Sequence, residues 1–129
     1  MRSDVRDDAG SAVVEFALLL PVLFVVGLAL VQIAVLARDQ LILAEAARAG
    51  ARTAAVDVSE VAVRDAALRS AVGLEGARLS VEIERAGTRG DPVTVRVSYP
   101  APTAAVLSGW LLPPTVLLSD SATMRQEFG

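Results

Sequence analysis

Hydrophobic and polar positions change rhythm several times along the chain. From Phe16 to Ala37 there are twenty-two consecutive residues without a charge, FALLLPVLFVVGLALVQIAVLA. A helix of that length spans about 33 Å, enough to cross the hydrocarbon core of a bilayer. Pro21 has no N–H to offer the carbonyl of Ala17, which predicts a kink or local melting at that point. From Arg38 to Val56 the chain has one Gly and no Pro, and is rich in Ala, Leu and Arg. These are good helix formers, so the helix is predicted to continue to about Val56, some 60 Å in all. Within this extension Ala46, Gly50 and Ala54, and beside them Ala47, Ala51 and Ala55, form two rows of small residues at four-residue spacing. Such rows allow another helix to approach closely, and they are equally the filler of an Ala-rich helix. Glu45 can reach Arg48 one turn on, and Arg48 and Arg52 suit a solvated face, phosphate headgroups or a partner's acids.

Beyond Asp57 the pattern shortens. Ser59 is placed to cap a second, amphipathic helix with Val61, Ala62, Leu68 and Val72 as its apolar positions. Glu60–Arg64 and Asp65–Arg69 form i,i+4 pairs on it, and Gly73 or Gly76 ends it. Two stretches then alternate strictly: Leu79, Val81 and Ile83 in residues 78–85, and Val93, Val95, Val97 and Tyr99 in residues 92–99. Ala86 to Asp91 supplies turn residues between them, so the pair reads as an antiparallel hairpin with one buried face and Arg96 near Glu82 or Glu84. Pro100 and Pro102 are expected to break the second strand. Residues 104–112, AAVLSGWLL, are apolar but too short to span a bilayer, and read as a loop or short helix covering the sheet with Trp110 as anchor. Contact of this stretch with a membrane surface or a partner is a minor alternative. Thr115 to Gln126 reads as a third strand. The predicted fold class is therefore α+β and membrane-anchored: a long N-terminal transmembrane helix, a second helix and a small three-stranded antiparallel sheet.

Composition narrows the chemistry. Hydrophobic residues make up 53% of the chain but aromatic ones only 4%, and much of the excess lies in the one run, which points to a membrane rather than a rich core. The net charge is −3 with no basic block, so there is no electrostatic footprint for nucleic acid. All twelve cationic residues are Arg, and Lys, His and Cys are absent. This removes disulfides, thiolate and imidazole metal sites, the commonest general base and the Schiff-base amine. No pair of acids stands out by spacing. The expectation is a protein that is not an enzyme, without catalytic residues, metal, cofactor or small-molecule substrate. A secretory signal peptide fits poorly, because the run exceeds the usual h-region and Ala34, Ala37 and Arg38 make a poor cleavage context. The Arg count does not assign topology: Arg2 and Arg6 precede the run among Asp4, Asp7 and Asp8, while Arg38, Arg48 and Arg52 follow it.

The segment before the run, Gly10-Ser11-Ala12-Val13-Val14-Glu15-Phe16, sets a carboxylate at the edge of the apolar span. Glu15 either marks the membrane interface or meets a cation there. A short hydrophilic leader ending in Gly, a small residue after it, Glu five positions after that Gly and an unbroken apolar helix resemble a type IV prepilin. More narrowly, GSAVVEFALLLPVLFVVGLALVQIA followed by AEAARAGARTAAV resembles TadE-like proteins, the minor pilins or pseudopilins of tight-adherence, Flp-type pilus systems. The features that carry the resemblance are Gly10 with Ser11-Ala12, Glu15-Phe16, Leu18 to Pro21, and Ala46-Ala47-Arg48 through Gly50-Ala51-Arg52. They cover about residues 9–56.

The resemblance implies a division into a leader (1–10), a transmembrane and extended helix (11–56) and a small extracytoplasmic α+β domain (57–129). It implies prepilin peptidase cleavage between Gly10 and Ser11, subunit docking through Glu15 and Phe16, a helix kink at Pro21, and helix packing along Ala46, Gly50 and Ala54. A buried Glu15 carboxylate is then compensated by the α-amino group of a neighbouring subunit, which exists only once the leader is gone. Implied partners are other pilin-like subunits, the Tad/Flp assembly platform, the prepilin peptidase and membrane lipid. The implied location is the cell membrane, single-pass, with a cytoplasmic N-terminus and an extracytoplasmic C-terminal domain, or incorporation in an extracellular pilus. The leader MRSDVRDDAG departs from the prepilin pattern, with three acids against two Arg where such leaders are usually basic. The alternative from another class is a membrane-anchored scaffold or accessory domain of a different envelope complex.

Overall fold

The computed structural model describes residues 4–128, with side chains from residue 9 onward. Residues 1–3 of the expected leader, and the side chains of residues 4–8, lie outside the described residues. The chain divides into two compact units, residues 1–34 and residues 35–129.

Helix α1 (Asp4–Val56) begins in the first unit and is helical through Pro21. In the first unit Val14, Phe16, Leu18, Leu19, Leu20, Val22 and Phe24 are between 50 and 71% exposed. At 3.6 residues per turn these positions surround the whole circumference, so this stretch has no polar face to turn to water. Among the described residues, this is the one helix long and apolar enough to cross a membrane.

The second unit is built on the C-terminal half of α1. Helix α2 (Glu60–Ser70) and a sheet of β1 (Ser80–Arg85), β2 (Pro92–Pro102) and β3 (Thr115–Arg125) complete it. The strands lie in the order β1-β2-β3, antiparallel throughout. The core joins Leu43, Ala46, Ala47, Ala51 and Ala54 of α1, Val63 and Ala67 of α2, and the inward row Val81, Val93, Val95, Val97, Tyr99 and Ala101 of the sheet. That row is the one the alternation predicts, and the register sets Glu82 directly opposite Arg96. The α+β architecture, with its apolar N-terminal helix, second helix and three-stranded antiparallel sheet, is the one the pattern implied.

Local chemistry explains the boundaries. Ser59 caps α2, its hydroxyl oxygen accepting from the Ala62 amide at 3.3 Å, while the Asp57 carboxylate accepts from the Ser59 amide at 2.8 Å. The helix stops at Ser70, and the turn that follows carries Gly73 at φ +93, a conformation costly for any residue with a Cβ. In the hairpin turn the Asp91 carboxylate accepts from the Thr88 amide at 2.7 Å, and Gly87 and Gly90 both adopt positive φ.

Four expectations are corrected. The buried stripe of α2 is Val63, Ala67 and the following Ala71, whereas Val61, Leu68 and Val72 are exposed and Ala62 is only half-buried. The Glu60–Arg64 and Asp65–Arg69 pairs do not close; among the described residues ion pairs form at Arg38–Asp39, Glu45–Arg48 and Glu75–Arg78. Exposed pairs gain too little in water to hold two long side chains together. β2 does not break at Pro100 but runs to Pro102. β1 ends opposite Ser98, and residues of β2 with even numbers turn their amide positions toward β1, so the missing N–H groups of Pro100 and Pro102 fall where no strand is left to accept them. Finally, the loop after β2 is anchored by fully buried Leu107, while Trp110 is 63% exposed.

Candidate functional site

The predicted site residues separate into two groups that the fold treats differently. Gly10, Ser11, Glu15 and Phe16 lie within α1 in the first unit, all exposed. Ser11 and Glu15 are one turn apart, and the Ser11 hydroxyl donates to Oε1 of Glu15 at 3.4 Å. Among the described residues no cation stands within ion-pair distance of Glu15. Glu15 is exposed, and Phe16 beside it is 60% exposed. Because i and i+4 share a helix face, the backbone nitrogen of Ser11 and the carboxylate of Glu15 belong to one edge of this helix. Pro21 sits inside the helix, one turn after Ala17, whose carbonyl it cannot serve.

Ala46, Gly50 and Ala54 are buried within the second unit. A Cβ added at Gly50 would lie 2.9 Å from Cγ1 of Val95, 3.5 Å from Cβ of Ala67 and 3.7 Å from Cγ1 of Val63. The small-residue row thus receives β2 and α2 of its own chain, and the neighbouring row of Ala47, Ala51 and Ala55 is buried as well. Arg48 and Arg52 are exposed on the opposite side, with Arg48 paired to Glu45.

Gln40 and Arg85, which pattern reasoning did not single out, fix α1 in the domain, and Asp39 is buried next to Gln40 in the helix. Asp39, directly after the apolar run, is buried beside Arg38 at 3.4 Å. Gln40 donates through Nε2 to the Ser119 carbonyl at 3.0 Å and to Asp120 at 3.3 Å. At the far end, Arg85 donates to the carbonyls of Ala54 and Asp57, each at 2.8 Å, and the Glu127 amide donates to the Ala55 carbonyl at 2.8 Å. These are carbonyls that the end of a helix leaves without partners, and the guanidinium also meets the negative end of the helix dipole. Phe128 stacks on the same guanidinium at 5.5 Å. The only signal for these contacts in the sequence is position: Arg38-Asp39-Gln40 are the first polar residues after the run.

The fold and this arrangement define a class: a small α+β domain continuous with an apolar helix that can cross a membrane, bearing an exposed acid beside the first apolar turn. Residues 10–52 match the family model of the TadE-like protein, so the chain carries a TadE-like segment there. The match begins at the Gly10–Ser11 junction and ends inside α1, before α2 and the sheet. No curated protein and no solved structure is significantly similar to the chain.

Proposed function

We propose that this chain is a non-catalytic, pilin-related subunit of a Tad (Flp-type) pilus system, a minor pilin or pseudopilin held in the cell membrane by its apolar helix. The observation that carries the reading is the TadE-like match over residues 10–52, which takes in Gly10, Glu15 and the apolar run together. In this reading the N-terminus is cytoplasmic, the sheet domain is extracytoplasmic, and a prepilin peptidase cuts after Gly10. The new α-amino group on Ser11 of one subunit then compensates Glu15 of its neighbour in an apolar surround, where an unpaired carboxylate is costly. The partners are other pilin-like subunits and the assembly platform.

The test is Glu15→Ala in the native host, with membrane fractionation and pilus counts by electron microscopy. The expected result is a protein retained in the membrane fraction with pilus number severely reduced. Normal piliation with the variant in the membrane would mean that Glu15 only flanks the helix, and would favour a scaffold of another envelope complex.

A further inference from the structure

The loop between β2 and β3 combines features that a water-facing loop has no need of. From Val97 to Ser119 the chain carries no charged residue. Val106, Trp110 and Leu111 stand 59, 63 and 50% exposed, while Leu107 is fully buried beneath them. The loop's backbone folds back on itself. Leu107 and Ser108 donate to the Ala104 carbonyl, Leu111 and Leu112 to the Leu107 carbonyl, and Gly109 to the Leu112 carbonyl, at 2.8 to 3.2 Å. The Trp110 indole N–H is spent on the Val106 carbonyl, and Thr103 bridges to Pro113 and Pro114 across the loop's neck. A loop without charge that turns apolar side chains and a Trp outward, with the indole N–H already engaged, is suited to the boundary between water and lipid.

The position of the loop in the second unit says which medium. Arg85 and Glu127 fasten one end of the sheet to the C-terminal end of α1. The loop is at the other end, beyond Gln40 and its partner Ser119. Thr115, where the loop joins β3, lies four residues before Ser119, about 13 Å along the strand. Gln40 is only three residues, about 4.5 Å, past Ala37, the last residue of the apolar run. Because Gln40 meets Ser119 and Ala55 meets Glu127, β3 runs alongside α1 in the same direction, and its start at Thr115 lies toward the Ala37 end of the helix. Exposed Arg38 is at this end too, as is the turn after α2, whose Gly73 adjoins the Arg38 guanidinium and whose Val72 is 75% exposed.

We propose that residues 103–114 form a membrane-seated foot, with Val106, Trp110 and Leu111 inserted among the lipid headgroups and upper acyl chains of the leaflet from which α1 emerges. The inference rests on the apolar run being a membrane span, and adds that the domain is docked on the lipid surface rather than tethered above it. Trp and apolar neighbours with Arg nearby are the residue types that partition to this interface.

Trp110 is the only Trp of the chain, so intrinsic emission reports on the foot alone. The full chain is reconstituted in phosphatidylcholine/phosphatidylglycerol vesicles, floated on a density gradient, and its emission measured with bromine on the acyl chain near the headgroup or near the terminal methyl. Expected is co-flotation, a severalfold loss of Trp110 emission with the shallow bromine, less with the deep one, and little quenching by aqueous iodide. Val106→Asp, at an exposed position whose carbonyl keeps its indole contact, should still float but lose the bromolipid quenching. Co-flotation with iodide quenching and no bromolipid quenching would overturn the foot while leaving the span intact, as would unchanged bromolipid quenching in Val106→Asp. Failure of the wild-type chain to float would overturn the span itself, and the foot with it.

Discussion

At Gly50 β2 approaches α1 closely, and replacing it with Ala sets two effects of opposite sign against each other. In an exposed helix the change stabilises by about 1 kcal/mol, because Gly loses more backbone entropy on folding. Here the new Cβ would stand 2.9 Å from Cγ1 of Val95, nearer than carbon atoms settle. Val95 is fully buried, β-branched and stiff about χ1, so it cannot swing aside, and Ala67 and Val63 close the remaining directions. Adding a methyl to such a site costs about 1–3 kcal/mol. The net expectation is a destabilisation of about 1 kcal/mol, against a gain of about 1 kcal/mol if the helix term acted alone. The assay must see the domain and not the apolar half of α1, which detergent keeps helical. Hydrogen exchange of β2 amides in the full chain in micelles does this, and a loss of about 1 kcal/mol appears as roughly fivefold faster exchange through global opening. The second half of the test is Val95→Ala in the same background, which removes the opposing methyl. The double variant should recover about 1–2 kcal/mol relative to the sum of the singles. Slower exchange in Gly50→Ala, or strict additivity with Val95→Ala, would refute the close packing inferred for this row.

Two further substitutions test the frame around it. Arg85→Ala removes both donors from the Ala54 and Asp57 carbonyls and should destabilise the domain by about 2 kcal/mol, seen first as faster exchange in the last turn of α1; Arg85→Lys should recover only part, since one ammonium replaces a planar fork. Leu68→Gln on α2 should change stability by less than about 0.5 kcal/mol in the same assay, whereas Val63→Gln, at a fully buried position, should cost well over about 2 kcal/mol.

What was legible in the sequence was whatever repeats within a few residues. The alternation of Val93, Val95, Val97 and Tyr99 has a period that only a strand satisfies, and Ser59 before an Ala-rich stretch caps a helix by a bond three residues long. The absence of breakers after Ala37 foretold a helix running to Val56. The candidate docking turn was legible for a related reason, since Gly10, Glu15 and the run form one short motif. Contacts made across long separations were not legible. Nothing near Arg85 announces that it will reach carbonyls 31 and 28 residues back, and nothing near Gln40 points to Ser119, 79 residues on. The small-residue row was visible, but its occupant was not: a row that admits a close neighbour does not say whether the neighbour is another chain or the chain's own sheet.

Helix α2 shows why hydrophobicity alone picked the wrong face. Val61 and Leu68 point outward, and its inward positions are Val63 and Ala67, continued by Ala71 at the cap. The reason lies in α1, which offers a surface of Ala and Gly side chains with hardly any relief. A sheet and a second helix both pack on that surface by close approach, which at Gly50 brings Val95, Ala67 and Val63 together. The same constraint applies to β2, where Pro100 and Pro102 are tolerated because the sheet edge beside them is vacant. In both elements the residue pattern is interpretable only once the neighbour is known. Val61 and Leu68 are left bare on the outer side of α2, and isolated exposed side chains of this kind require no ligand to explain them.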